Sequence, residues 1–183
     1  MYRKYVSAGC TLALVVFAQS TLAQSAPAAS APRSFTFLGF PTKVLISGAD
    51  TANASALLDV QIPSKGGPPA HIHSREDEVY FIKSGTFQFF MDGVCLQAGP
   101  GTSVYMPKGH FHTFKNISKQ TAEHLMFVYP AGLEQFFWQV SQMTLTLPQD
   151  FPKLNELAKT YGMDLVPDHE FHAGPCKILK PVK

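Results

Sequence analysis

The stretch GGPPAHIHSREDEVYFIKSG, residues 66–85, decides how the rest of this chain is read. His71 and His73 are two apart, so in an extended segment both imidazoles leave the same face of the backbone and can reach one ion. Glu78 opens Glu78-Val79-Tyr80-Phe81-Ile82, a run of aromatic and β-branched residues that predicts a strand, and Gly85 closes it with a turn. Downstream, in Gly101–Asn116, a Pro107-Lys108-Gly109 turn delivers His112 at the head of another strand. Three imidazoles and one carboxylate make a mixed N/O set suited to a single divalent transition metal, whereas Ca²⁺ or Mg²⁺ asks for oxygen alone. The ligand set does not distinguish Fe, Mn, Ni, Cu and Zn.

Parity extends the reading from the ligands to a pocket. Tyr80 and Ile82 share the face of Glu78, and Phe114 and Asn116 share that of His112. Asp77 falls on the opposite face from Glu78. Tyr80 is either a proton donor or a buried tyrosine with a structural hydrogen bond. His110 is expected on the exposed turn, His169 and His172 on a surface tail, and the direction of His124 is left open.

At these residues the chain resembles the cupin superfamily. The first cupin motif is met by His71, His73, Glu78 and Gly85, the second by Gly101, Pro107, Gly109, His112 and Asn116; the glycine expected six residues before the first histidine is Lys65. The resemblance spans roughly residues 40–130. It implies an all-β, single-domain, jelly-roll type barrel with metal in its mouth. Within the superfamily, Pro68–Gly85 and Ala131–Phe137 look most like small single-domain proteins related to quercetin dioxygenases. That likeness implies a metal-dependent dioxygenase acting on a small phenolic or enolic substrate with O₂, with Glu78 as ligand and base. A redox-neutral isomerase, cyclase or decarboxylase, and a non-catalytic ligand-binding cupin, are the alternatives.

The strand pattern agrees with an all-β fold. Short strand-like runs recur from Phe35–Phe40 to Glu123–Tyr129, Asp92-Gly93 marks a two-residue hairpin turn, and no helical crossovers separate them. After Pro130 the period becomes helical: Leu133, Phe136, Phe137 and Val140 share one face, and Leu154, Leu157, Ala158 and Tyr161 another. One or two C-terminal α-helices are therefore expected, packed on the outside of the barrel as extra core. A second placement puts the first helix at the mouth, with Glu134, Phe136, Phe137 and Trp138 against the substrate.

Residues 1–23 read as a signal peptide: Arg3 and Lys4, then an apolar stretch too short to span a membrane, then small residues before Gln24. Secretion or a periplasmic location follows. Residues 24–34 read as a disordered Pro/Ala/Ser linker, 35–130 as the barrel, and 131–183 as helices and tail. Removing Arg3 and Lys4 from 15 basic residues leaves 13 against 13 acidic ones, which speaks against a nucleic-acid partner. The expected partner is a small molecule, with no membrane attachment after cleavage; a homodimer is left open. Cys95 and Cys176 remain after the leader, either bridged or as separate thiols. Asn53 and Asn116 both match the N-glycosylation pattern, the second being also the motif asparagine.

Overall fold

The computed structural model describes residues 33–167 and 175–181. The leader, most of the linker, His169 and His172 lie outside them. In chain order the elements are β1 (Ser34–Phe37), β2 (Phe40–Ile46), a 3₁₀ turn (Gly48–Thr51), β3 (Ala56–Ile62), β4 (His71–His73), β5 (Asp77–Ser84), β6 (Phe87–Met91), β7 (Val94–Ala98), β8 (Ser103–Met106), β9 (His112–Asn116) and β10 (Ala122–Tyr129). Then come α1 (Leu133–Ser141), α2 (Phe151–Thr160), β11 (Met163–Leu165) and β12 (Lys177–Ile178).

Two six-stranded sheets face each other, in the orders β1-β2-β3-β10-β5-β8 and β11-β4-β9-β6-β7-β12. This is the jelly-roll type barrel expected. Alternation builds the core: Leu58, Val60 and Ile62 of β3, Tyr80 and Ile82 of β5, and Met126 and Val128 of β10 are buried, while the residues between them are less so. From the second sheet, Phe87, Phe89 and Phe114 close a ring cluster around Tyr80, with centroids 5.2–5.6 Å apart for Tyr80–Phe89, Tyr80–Phe114 and Phe89–Phe114.

Turn chemistry fixes the registers. Asp92 and Gly93 both take positive φ, 43° and 83°, and pair Met91 with Val94 across a two-residue hairpin. Gly85 (φ 76°) leaves no room for a side chain, since a Cβ there would stand 2.3 Å from that of Ala122. Lys65, in the place of the motif glycine, keeps the left-handed backbone at φ 64°, so the turn survives the substitution at a local cost of about 1 kcal/mol.

Four expectations change. The run Phe35–Phe40 is two strands, because Leu38 (φ 47°) and Gly39 (φ 85°) turn the chain between Phe37 and Phe40. Of the linker, Arg33 bonds Asp50 through Nη2 and Ser34 opens β1. The residues after α2 are more than a tail: β11 pairs antiparallel with β4, setting Met163 opposite His73 and Leu165 opposite His71. β12 pairs parallel with β7, and Cys95 and Cys176 form a disulfide beside it.

Candidate metal centre

Four side chains from three strands meet inside the barrel. β4 contributes His71 and His73, β5 Glu78 and β9 His112, and a ligand atom from each lies within 4.8 Å of the others. All four residues are buried, at 5 %, 1 %, 2 % and 1 % exposure. The pairing of His71 with His112 across β4 and β9, and of β5 with β8 in the other sheet, brings the two motifs together.

Each imidazole is held from behind. His71 Nδ1 donates to the Pro69 carbonyl at 2.8 Å and His112 Nδ1 to the His110 carbonyl at 3.0 Å, while His73 Nδ1 meets the Glu76 carboxylate at 3.3 Å. Carbonyls and carboxylates only accept, so the proton sits on Nδ1 and each Nε2 keeps its lone pair. This is how ligating histidines are oriented. His73 Nε2 has no hydrogen-bond partner although it is buried. His112 Nε2 lies 3.0 Å from Glu78 Oε2, two electron-rich atoms in contact unless a cation, proton or metal, sits between them. On both counts the group fits a divalent metal ion, and could hold one.

Electrostatics prepares the same state at His71 and Glu78 and opposes it at His73. Burial, helped by His112 and His73, pushes His71 down to about 3. Burial alone would raise Glu78, but the facing His73, His112 and His71 hold its carboxyl well below the usual range. His73 is pushed down by burial and up by Glu78 and Glu76, and the net direction is up. Tyr80 is pushed well above 10 by burial and by Glu78, so it stays a phenol and donates to Glu78 Oε2 at 3.0 Å.

A narrow cavity opens beside the centre. Tyr80 and Phe114 line it as parity suggests, together with His71, His73 and Glu78. Ile82 and Asn116, also expected there, do not. Asn116 instead donates its amide to the Ile62, Pro63 and Gln120 carbonyls, an internal clamp. Asp77 accepts from the Lys108 backbone, and His110 is exposed beside Asp92. The roof comes from the hairpin and the helices: Phe37 and Phe40, then Leu133, Phe136 and Phe137 of α1, and Leu154 of α2. The first helix thus stands at the mouth, but Glu134 turns away to accept from the Gly48 and Gly132 backbones, and Trp138 packs on Phe35.

Sequence reasoning missed Glu76 behind His73 and the β11 pair Met163 and Leu165 in the wall. It left His124 open; the side chain points inward and lines the cavity. Burial pushes that imidazole down to about 4 against an ordinary 6.5, so it is neutral in the fold. Unfolded chains then bind the extra proton between those values, and stability falls with falling pH through that window. Metal-free protein should lose about 3 kcal/mol from this residue between pH 6.5 and 4, a loss absent from His124→Phe; urea unfolding at both pH values checks it.

No curated protein matches the chain. Among solved structures, KdgF from Halomonas sp. is 15 % identical, with 53 % of this chain and 84 % of that one covered and a TM-score of 0.48. A protein described as a predicted oxalate decarboxylase from Thermotoga maritima is 19 % identical over 56 % of this chain and 94 % of that one, with a TM-score of 0.49. The family model described as Cupin domain matches residues 58–129, which hold all four converging side chains. Residues 58–129 thus match the cupin domain model, and the two-sheet barrel around them has the cupin jelly-roll fold.

Proposed function

We propose that this protein is a metal-dependent dioxygenase for a small phenolic or enolic compound. The observation that carries the reading is the cavity: a buried His₃Glu group at one side of a mostly apolar wall that includes Phe37, Phe40, Phe114, Phe136 and Phe137, with Tyr80 and His124 as its other polar side chains. Such a wall takes an aromatic or enolic compound and sheds water. No Lys or Arg lines it among the described residues, so a phosphate or a sugar acid finds no counter-charge there.

His71, His73, Glu78 and His112 would hold the ion, which supplies positive charge to lower the pKa of a bound hydroxyl and sites for O₂. Glu78 is the only carboxylate among the described lining residues, so it receives the substrate proton. Its Oε2 is engaged by Tyr80 and His112, leaving Oε1 as the accepting atom. The aromatic wall orients the ring, and α1 with the β1–β2 hairpin excludes water from above.

One feature favours a redox-neutral isomerase or decarboxylase instead: Tyr80, a protonated phenol 3.0 Å from Glu78, pairs an acid with a base. An oxygen electrode separates the readings. Protein reconstituted in turn with Fe, Mn, Ni, Cu and Zn is offered catechols, β-diketones and flavonols; O₂ uptake matching product is expected with at least one metal. Product without uptake moves the assignment to the redox-neutral class, and neither leaves a binding protein.

We also propose that the protein works outside the cytoplasm, on the strength of the leader-like residues 1–23 and a disulfide suited to an oxidising compartment. N-terminal sequencing of protein from its own host should then find a start near Gln24; a cytoplasmic full-length chain overturns it.

A further inference from the structure

Five polar side chains line the cavity among the described residues: His71, His73, Glu78, Tyr80 and His124. The first three belong to the candidate metal centre and the Tyr80 hydroxyl is spent on Glu78. His124 is left over. It projects inward from β10 at 1 % exposure, opposite Val60 on one side and Ile82 on the other. The rings of Tyr80, Phe114 and Phe87 surround it edge-on, with centroids at 5.0, 5.3 and 5.4 Å. Neither ring nitrogen has a hydrogen bond; the adjacent Leu125 backbone offers an electrostatic contact that falls short of hydrogen-bond geometry.

An unsatisfied buried polar group costs about 1–3 kcal/mol. Phenylalanine or leucine would fill the same apolar box without that cost, so a histidine there is explained by something that enters the cavity. We propose that His124 is the second anchor of the cavity's ligand, binding a hydroxyl or carbonyl on a small compound whose other oxygen lies at the His71, His73, Glu78 and His112 centre. The inference rests on the reading of that centre as the place where a substrate oxygen binds.

Two observations narrow the class. The oxygen function at His124 is uncharged, because no Lys or Arg lines the cavity to balance an anion. The compound is small, because the cavity offers about 60 Å³ of space to water centres, against roughly 10–15 Å³ for one water. That is room for about four to six water-sized groups beside the centre. A multi-ring flavonol requires the β1–β2 hairpin and α1 to move. A monocyclic dihydroxy or hydroxy-carbonyl compound, with one of its oxygens at the centre, asks for much less room.

The test is binding, with no turnover. Zinc-loaded protein under argon is titrated calorimetrically with phenol, catechol, resorcinol and hydroquinone, and the ring ¹⁵N resonances of His124 are followed by NMR. At least one of the three dihydroxybenzenes should bind about fivefold to tenfold more tightly than phenol, the worth of one hydrogen bond, and should shift the His124 resonances where phenol does not. In His124→Phe that preference should fall to about onefold with phenol affinity kept, and His124→Gln should restore part of it. An unchanged preference in His124→Phe, no preference in the wild type, or resonances that no phenol moves overturns the inference; the NMR arm needs no variant, so a misfolded one does not block it. Chelator-stripped protein tests the underlying reading: binding that ignores zinc counts against an oxygen at the centre, whereas a failed oxygen-uptake assay leaves the role of His124 standing.

Discussion

Replacing His112 by Ala is expected to lower metal affinity by about two orders of magnitude and to abolish any metal-dependent activity. Four-ligand structural zinc sites draw about 10–16 kcal/mol from their ion, so one ligand's share is about 3 kcal/mol, and each 1.4 kcal/mol is tenfold. Removing His112 also leaves Glu78 Oε2 with the Tyr80 hydroxyl as its one remaining neighbour of the two at 3.0 Å. Glu78→Gln behaves differently, because the amide keeps an oxygen donor while losing the charge and the proton acceptor: part of the metal should stay, and proton transfer should go. Glu76→Gln acts only through His73, whose Nδ1 it faces at 3.3 Å, and should cost 10–100-fold in affinity. Metal analysis after dialysis against a graded chelator ranks the three; equal retention by wild type and His112→Ala would remove His112 from the ligand set.

The ranking shows what could and could not be read before the fold was known. His71 and His73 reach the same centre because strand side chains alternate with period two, and that rule needs no tertiary information. Parity sets a face, however, and says nothing of depth. Tyr80 and Phe114 are two residues from Glu78 and His112, about 7 Å along their strands, and line the cavity; Ile82 and Asn116 are four away, about 13 Å, and do not. Glu76 escaped because it precedes β5, in the bend that follows β4, where strand parity does not apply. Met163 and Leu165 escaped because a three-residue strand carries no pattern of its own: β11 exists through its pairing with β4, some ninety residues earlier in the chain. The helical faces of α1 and α2 were legible, but periodicity shows only that a face is buried. That α1 closes the mouth follows from the barrel it meets.

Replacing both Cys95 and Cys176 by Ser is expected to lower the free energy of unfolding by about 3 kcal/mol, with no loss of metal. The bridge joins residues 81 apart, so its removal frees a long loop in the unfolded chain, where the chain-entropy view places the larger stabilisations. What remains to hold the C-terminal strand is little. β12 has two residues, both exposed, pairing with Leu96 and Gln97, and one further backbone bond runs from Leu179 to Gln97. A strand that short has no independent stability, so the segment from Cys176 onward should leave β7 once the sulfurs part. The centre should not follow, because its ligands stand on β4, β5 and β9, and the strand flanking β4 is β11. Urea unfolding of the wild type with and without dithiothreitol, with metal analysis on the folded samples, makes the comparison. Unchanged stability on reduction counts against the disulfide, while metal lost together with the bridge would mean that the tail supports the centre through β11.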